Sequence, residues 1–103
     1  MREYSVVMTT CPGSEEAQMI ADALLGEELA ACIQTMPIQS HYIWEGAVQN
    51  GEEILLLIKG KSENYGAIEK AILRLHPYEV PEIIRLPVEG GHDRYLSWLA
   101  DPR

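Results

Sequence analysis

Four stretches of the sequence carry the hydrophobic pattern of β-strands. Residues 4–10 predict a strand in which Val6, Val7 and Met8 form a near-continuous apolar run typical of a buried central strand, and residues 54–58 form a second apolar run. Residues 31–44 are predicted to be extended and alternate cleanly after Pro37. Residues 83–88 complete the set and predict a fourth strand. Because Pro37 cannot donate a hydrogen bond to a neighbouring strand, it marks a sheet edge or a bulge.

The turn between the second and third strands has two candidate positions. Glu45-Gly46 supplies a turn directly after the alternating segment, whereas Asn50-Gly51 is a competing hairpin signal a few residues later. Either turn joins the two strands into an antiparallel hairpin, so the sequence leaves the turn position open.

Apolar residues three and four positions apart predict two amphipathic helices and a short terminal one. After the candidate N-cap Ser14, the core-facing stripe is Ala17, Ile20, Ala21, Leu24 and Leu25. After the candidate cap Ser62, the stripe is Tyr65, Ile68, Ala71, Ile72 and Leu75, before Pro77 ends the helix. In the helix predicted over residues 93–100, the apolar side is Tyr95, Leu96, Trp98 and Leu99.

The order of these elements predicts the fold. Strand, helix, strand, strand, helix, strand and a C-terminal helix form the βαββαβ arrangement called ferredoxin-like. It is an α+β two-layer sandwich, in which two helices cover one face of a four-stranded antiparallel sheet. At 103 residues the chain is expected to be a single domain over residues 1–103.

The predicted hairpin is too long for its own domain. Residues 31–44 would extend about 45 Å at roughly 3.3 Å per residue, and a body of this chain length spans only about 35 Å. The tip, with Tyr42, Ile43 and Trp44, is therefore expected to overhang the core and to associate with other copies. The alternative is a bulge at Pro37 that folds the hairpin back onto its own sheet.

Charge and composition exclude several classes of partner. With 8 basic and 16 acidic residues the chain carries a net charge of −8, which repels a phosphate backbone and excludes a nucleic-acid role without a basic patch. No run approaches the roughly 18 apolar residues of a membrane span. The stretch Met1-Arg2-Glu3 places an acid where an export signal needs positive charge, so no export signal is expected and Cys11 and Cys32 are predicted to be reduced.

The string His76-Pro77-Tyr78-Glu79-Val80-Pro81-Glu82-Ile83 resembles the signature of the CutA divalent-cation tolerance proteins. Further elements occur in the order of that family, and the resemblance covers nearly the whole chain: Leu29–Cys32, Tyr42, Trp44–Gly46, Glu53, Lys59 and Tyr95–Leu99. The resemblance implies a ferredoxin-like fold, a homotrimer joined by strands across subunits, a cytoplasmic location, and tolerance of copper and other divalent ions. Because the trimer is similar to the P-II signalling proteins, a signal-transduction module that binds a small ligand or a partner protein is the alternative.

Six residues are candidates for a ligand cleft between subunits, because aromatic walls with a few charged groups suit a small molecule. They are Tyr42, Trp44, Glu53, Lys59, Tyr78 and Glu79. The alternative is that these aromatic residues pack in an interface and that Glu53 pairs with Lys59.

His76 is the candidate ligand for a divalent metal ion such as copper or zinc. Such a site needs imidazole and thiolate groups that converge on one point, and His41, His76 and His92 match no metal-binding spacing. A site could still assemble in the fold or between subunits. Alternatively, a protonated His76 caps the end of the second helix, where the helix dipole favours positive charge.

The remaining chemistry rests on the two cysteines. Cys11 follows a strand and precedes a helix, so it is either a low-pKa thiolate or a small buried side chain. Cys32 is predicted to lie in the core. The sequence contains no nucleophile motif, phosphate loop or paired acid and base, so the protein is predicted not to be an enzyme and has no candidate catalytic residue. A small hydrolase or a redox protein that uses Cys11 is the remaining alternative.

Overall fold

A computed structural model describes residues 3–103. Its elements, in chain order, are β1 (Tyr4–Cys11), α1 (Ser14–Gly26), β2 (Cys32–Trp44), β3 (Ala47–Lys61), a 3₁₀ turn (Ser62–Asn64), α2 (Tyr65–Leu75), β4 (Ile83–Val88) and α3 (Asp93–Ala100). Met1 and Arg2, which contribute to the expectation of no export signal, lie outside the described residues. Within residues 3–103, no helix combines the length and apolar character that crossing a membrane requires.

The four strands form one sheet in the order β2-β3-β1-β4. Every neighbouring pair is antiparallel, with β1 paired to β3 on one side and to β4 on the other. Helices α1 and α2 lie together on one face of the sheet. The predicted ferredoxin-like α+β sandwich with a C-terminal helix is therefore confirmed.

The core lies between this sheet and the two helices. On β1 every second residue faces the helices, so Val7, Thr9 and Cys11 are buried. The buried apolar cluster consists of Val7, Cys11, Ala17, Ile20, Leu24, Ala30, Leu56, Ile58, Ile68, Ala71 and Ile72. Leu25 is 42% exposed and does not belong to it, because Leu24 occupies the core-facing position at that turn of α1.

The opposite face of the sheet is apolar and largely uncovered. Met8 of β1 lies between Leu57 of β3 and Ile84 of β4, and residues directly opposite each other in a ladder share a face. At its two edges the face remains open, with Met36, Ile84 and Leu86 each 46–48% exposed. We call this surface the open sheet face and define it by Met8, Met36, Leu55, Leu57, Ile84 and Leu86.

The turn of the long hairpin lies at Glu45-Gly46. Both residues have positive φ, 51° and 79°, as a two-residue type I′ turn requires. Asn50-Gly51 lies inside β3, so the competing turn position is wrong. Pro37 pairs with Ile54 in an unbroken register on the edge strand β2, which confirms the edge position and excludes the bulge.

The hairpin projects from the sheet. Ile43 and Val48 near its tip are 73% and 78% exposed, and the longest dimension of the molecule is 44 Å. It is not folded back onto its own sheet, as the bulge alternative required.

The second helix begins later than its predicted cap. Ser62 starts the 3₁₀ turn, and α2 begins at Tyr65. The Ser62 hydroxyl is buried and hydrogen-bonded to the hydroxyl of Ser5, so it is not available to cap a helix.

Candidate functional site

A cavity of about 610 Å³ lies between the hairpin and the segment that follows α2. Its volume is in the range of small-molecule sites. The described residues that line it are Thr10, Ser40, Tyr42, Trp44, Glu53, Pro77, Tyr78, Glu79, Val80, Pro81 and Glu82. Five of the six predicted cleft residues are therefore brought together, and only Lys59 is not.

Strand alternation and register position the hairpin side of the cavity. Ser40, Tyr42 and Trp44 occupy alternate positions of β2 and so share one face. Glu53 is on that same face, because it pairs with Ile38 across the β2–β3 ladder. This face continues the open sheet face, so the cavity lies directly beside the uncovered apolar surface.

His76 anchors the segment that forms the other side of the cavity. Its Nε2 lies 2.7 Å from the backbone carbonyl oxygen of Thr10, and its Nδ1 accepts a 3.1 Å hydrogen bond from the backbone N–H of Tyr78. Only a neutral ring with the proton on Nε2 satisfies both partners at once. The imidazole and phenol rings are also in contact, with centroids 4.8 Å apart. The segment is therefore fixed to β1 through a buried side chain.

Tyr78 closes the cavity onto β3. Its hydroxyl donates a 2.8 Å hydrogen bond to the carboxylate of Glu53. Burial, followed by this hydrogen bond and the negative charge of Glu53, raises the pKa of Tyr78 far above its ordinary value. The phenol therefore stays protonated and holds the carboxylate of Glu53 in a fixed position.

His76, the predicted metal ligand, already uses both of its ring nitrogens in hydrogen bonds. A metal ion could therefore bind there only if one of the two hydrogen bonds broke. Within residues 3–103 no group of three or more His, Cys, Asp or Glu side chains could hold a metal ion. Metal binding by His76 stays a prediction. His76 is the C-cap residue of α2, but its backbone N–H and not its ring bonds to the helix, so the alternative of a protonated capping imidazole is wrong.

For the two cysteines, the structure confirms the buried side chain considered for Cys11 and contradicts the other two predictions. Cys11 is fully buried, and burial, with smaller contributions from the charges of Glu16 and Glu53, raises the pKa of its thiol to about 11. It is therefore a protonated thiol at neutral pH, and the low-pKa thiolate alternative is wrong. Cys32 is only half-buried and contacts Tyr95, so its predicted place in the core is also wrong.

Lys59 lies at a different part of the sheet. Its Nζ is 5.9 Å from the centroid of the Tyr95 ring in α3. It lies six positions after Glu53 along β3, which is about 20 Å in an extended strand. The Glu53–Lys59 ion pair considered from the sequence is therefore wrong, and Lys59 instead helps to hold α3 against one end of the sheet.

Thr10, Ser40, Val80 and Glu82 line the cavity but were not predicted from the sequence as cleft residues. Ser40 could have been found, because the alternation after Pro37 places it on the same face as Tyr42. The open sheet face was also missed. Its signal was the near-continuous apolar runs of β1 and β3, which indicate strands covered on both faces.

A ferredoxin-like sandwich with an uncovered apolar sheet face and an acidic, aromatic cavity beside it defines the structural class of this protein. The family described as CutA1 divalent ion tolerance protein matches residues 5–102. The chain therefore belongs to the CutA1 divalent ion tolerance family, as its resemblance predicted.

Individual relatives agree with this assignment. The divalent-cation tolerance protein CutA of Thermus thermophilus is 42% identical over 93% of this chain and 94% of its own length. A chloroplastic CutA 1 protein of Oryza sativa is 42% identical over 91% of this chain, which spans 54% of that longer protein. The structure of a periplasmic divalent cation tolerance protein CutA from Archaeoglobus fulgidus has a TM-score of 0.91 at 33% identity, covering 93% of this chain and 94% of that one. Since these names include two different compartments, the cytoplasmic location stays a prediction.

Proposed function

We propose that this chain forms a homotrimeric divalent-cation tolerance protein with ligand clefts between its subunits. The observation that carries the proposal is the open sheet face. Large apolar patches on a folded surface mark sites of association. On the open sheet face, the apolar side chains of Met36, Ile84 and Leu86 are each nearly half-exposed. A second copy of the same chain supplies the matching apolar cover.

The hairpin supports the same assembly. β2 is an edge strand, and its projecting end carries unpaired backbone groups and exposed apolar side chains. Closed cyclic symmetry satisfies such an edge without the formation of open filaments. The number of subunits, three, comes from the resemblance to the CutA family.

The cavity is the proposed cleft. Because it adjoins the open sheet face, a neighbouring subunit that covers this face also forms part of the cavity wall. The carboxylates of the wall attract cations, in keeping with the response to divalent ions that the family name describes. Copper or zinc would bind there weakly, with ligands from more than one subunit, and the protein would bind its ligand without catalysis.

Native mass spectrometry at micromolar concentration tests the assembly. The expected mass is three times the 11.6 kDa of the chain. A monomer at that concentration would overturn both the assembly and the shared cleft.

The second candidate is a P-II-like signalling module, and the shape of the cavity favours it. A volume of about 610 Å³ with aromatic walls suits an organic ligand better than a bare ion. Calorimetric titration with Cu(II), Zn(II) and adenine nucleotides separates the two candidates by which titration saturates. We expect no saturation with nucleotides, because an acidic wall repels their phosphates.

A further inference from the structure

The cavity wall carries charge of one sign. Among the described residues that line it, Glu53, Glu79 and Glu82 are acidic, and none is Lys, Arg or His. Glu79 and Glu82 form no hydrogen bond or ion pair with another residue of 3–103. Carboxylates in a concave surface focus a negative potential into it, so a cation is attracted and an anion is repelled.

The same wall offers three aromatic side chains. Tyr42, Trp44 and Tyr78 line the cavity, and each is more than a third exposed in the single chain. The face of an aromatic ring attracts a cation through its quadrupole, and tryptophan does so best. Aromatic rings beside unpaired carboxylates are the combination that proteins use to bind organic ammonium ions.

A bare divalent ion fits this wall less well. It needs several ligands at one point, and within residues 3–103 no group of three or more His, Cys, Asp or Glu side chains could hold it. The carboxylate of Glu53 is also already hydrogen-bonded to Tyr78. An organic ammonium ion spreads its charge over a larger surface, so it needs ring faces and nearby carboxylates but no converging ligands.

We propose that the ligand of this cavity is a small organic ammonium ion. The proposal rests on the proposed function, because it names the ligand of the same cleft. Trp44 and Tyr42 provide ring faces, and Glu79 balances the charge. The hydrogen bond between Tyr78 and Glu53 holds the two sides of the cavity together. The cavity, at about 610 Å³, has room for an ion of this size.

Isothermal titration of the wild-type protein with choline tests the proposal. Its matched control is 3,3-dimethylbutan-1-ol, which has the same shape but no charge. We expect choline to bind at least about tenfold more tightly than the alcohol. Trp44→Leu and Glu79→Gln should each weaken choline binding by about fivefold or more. Glu52→Gln, on the opposite face of the hairpin, should leave it unchanged.

The outcomes separate this proposal from the one on which it rests. Equal affinity for choline and the alcohol, or saturation by Zn(II) but not by choline, would overturn the ammonium site. A trimer that binds no choline would overturn the ammonium site alone. Choline binding by a protein that native mass spectrometry shows to be a monomer would support the ammonium site and overturn the cleft between subunits.

Discussion

The hydroxyl of Tyr78 donates a 2.8 Å hydrogen bond to the carboxylate of Glu53, and this contact joins the segment after α2 to β3. The two residues are 25 positions apart in the chain and belong to opposite sides of the cavity. The bond therefore sets the width of the cavity. Its donor is the neutral phenol of Tyr78, and its acceptor is the negatively charged carboxylate of Glu53.

A double-mutant cycle measures this contact. Tyr78→Phe and Glu53→Ala should each lower the free energy of unfolding, and the coupling between them should be about 1 kcal/mol, since the acceptor is charged but the bond is partly exposed. Urea unfolding of the four proteins provides the values. Additive effects, with no coupling, would show that the two side chains do not interact in solution.

The free energy of unfolding should depend on which of the two ring nitrogens of His76 a substitution replaces. His76→Asn can keep an acceptor for the Tyr78 N–H, and His76→Gln can keep a donor to the Thr10 carbonyl. Each should cost about 1 to 2 kcal/mol, whereas His76→Leu, which loses both bonds, should cost about 2 to 4 kcal/mol. Equal stability of the Leu and Gln variants would contradict the anchoring role. Chemical denaturation is the measurement, with His92→Leu as the exposed control.

Thr9 is fully buried, and its hydroxyl has no hydrogen-bond partner among residues 3–103. Thr9→Val removes an unsatisfied polar group with little change of shape, so it should raise the free energy of unfolding by about 1 kcal/mol. Val7→Thr, the reverse change on the same face of β1, should lower it by about 1 to 3 kcal/mol. The melting temperature should rise for Thr9→Val and fall for Val7→Thr. A lower melting temperature for Thr9→Val would show that the Thr9 hydroxyl is not an unsatisfied polar group.

Cys11 should make stability depend on alkaline pH. Its folded pKa of about 11 exceeds the unfolded value of 9.0, so the unfolded chain loses the proton first. The contribution of the protonated thiol is present below pH 9.0 and is lost as the pH rises to about 11. The stability difference between the wild type and Cys11→Ala should narrow by at most about 1.4 kcal/mol per pH unit in this window.

The measurement is the free energy of unfolding of both proteins from pH 7 to pH 10.5. The Val7→Ala variant, a truncation in the same core that removes no titratable group, is the control and should keep a constant difference from the wild type. A constant difference between the wild type and Cys11→Ala would mean that Cys11 ionises as easily in the folded protein as in the unfolded chain.

The pattern of apolar residues was sufficient for the element order, because each element buries one stripe or one face. Ile68, Ala71 and Ile72 were placed correctly for this reason. Leu25 was placed wrongly in the core-facing stripe, because an apolar residue at the border of the stripe cannot be distinguished by sequence from one inside it. The turn at Glu45-Gly46 could not be chosen over Asn50-Gly51, because register depends on the pairing of the whole hairpin.

The site was predictable only in part. Five cleft residues were found through a resemblance and not through spacing, since the cavity joins segments of three strands and a loop. Lys59 was misplaced even though the strand predicted over residues 54–58 already separates it from Glu53 by about 20 Å. The hydrogen bonds of His76 have no signature in sequence, as its partner Thr10 contributes only a backbone oxygen.

The central claim is that neighbouring copies cover the open sheet face. Sedimentation equilibrium of two variants tests it most directly. Leu86→Glu places a charge on the open sheet face, and Leu73→Glu places one on the exposed side of α2. We predict that the Leu73→Glu protein sediments as a trimer and that the Leu86→Glu protein dissociates to monomers. Trimers of equal stability for both variants would contradict the account.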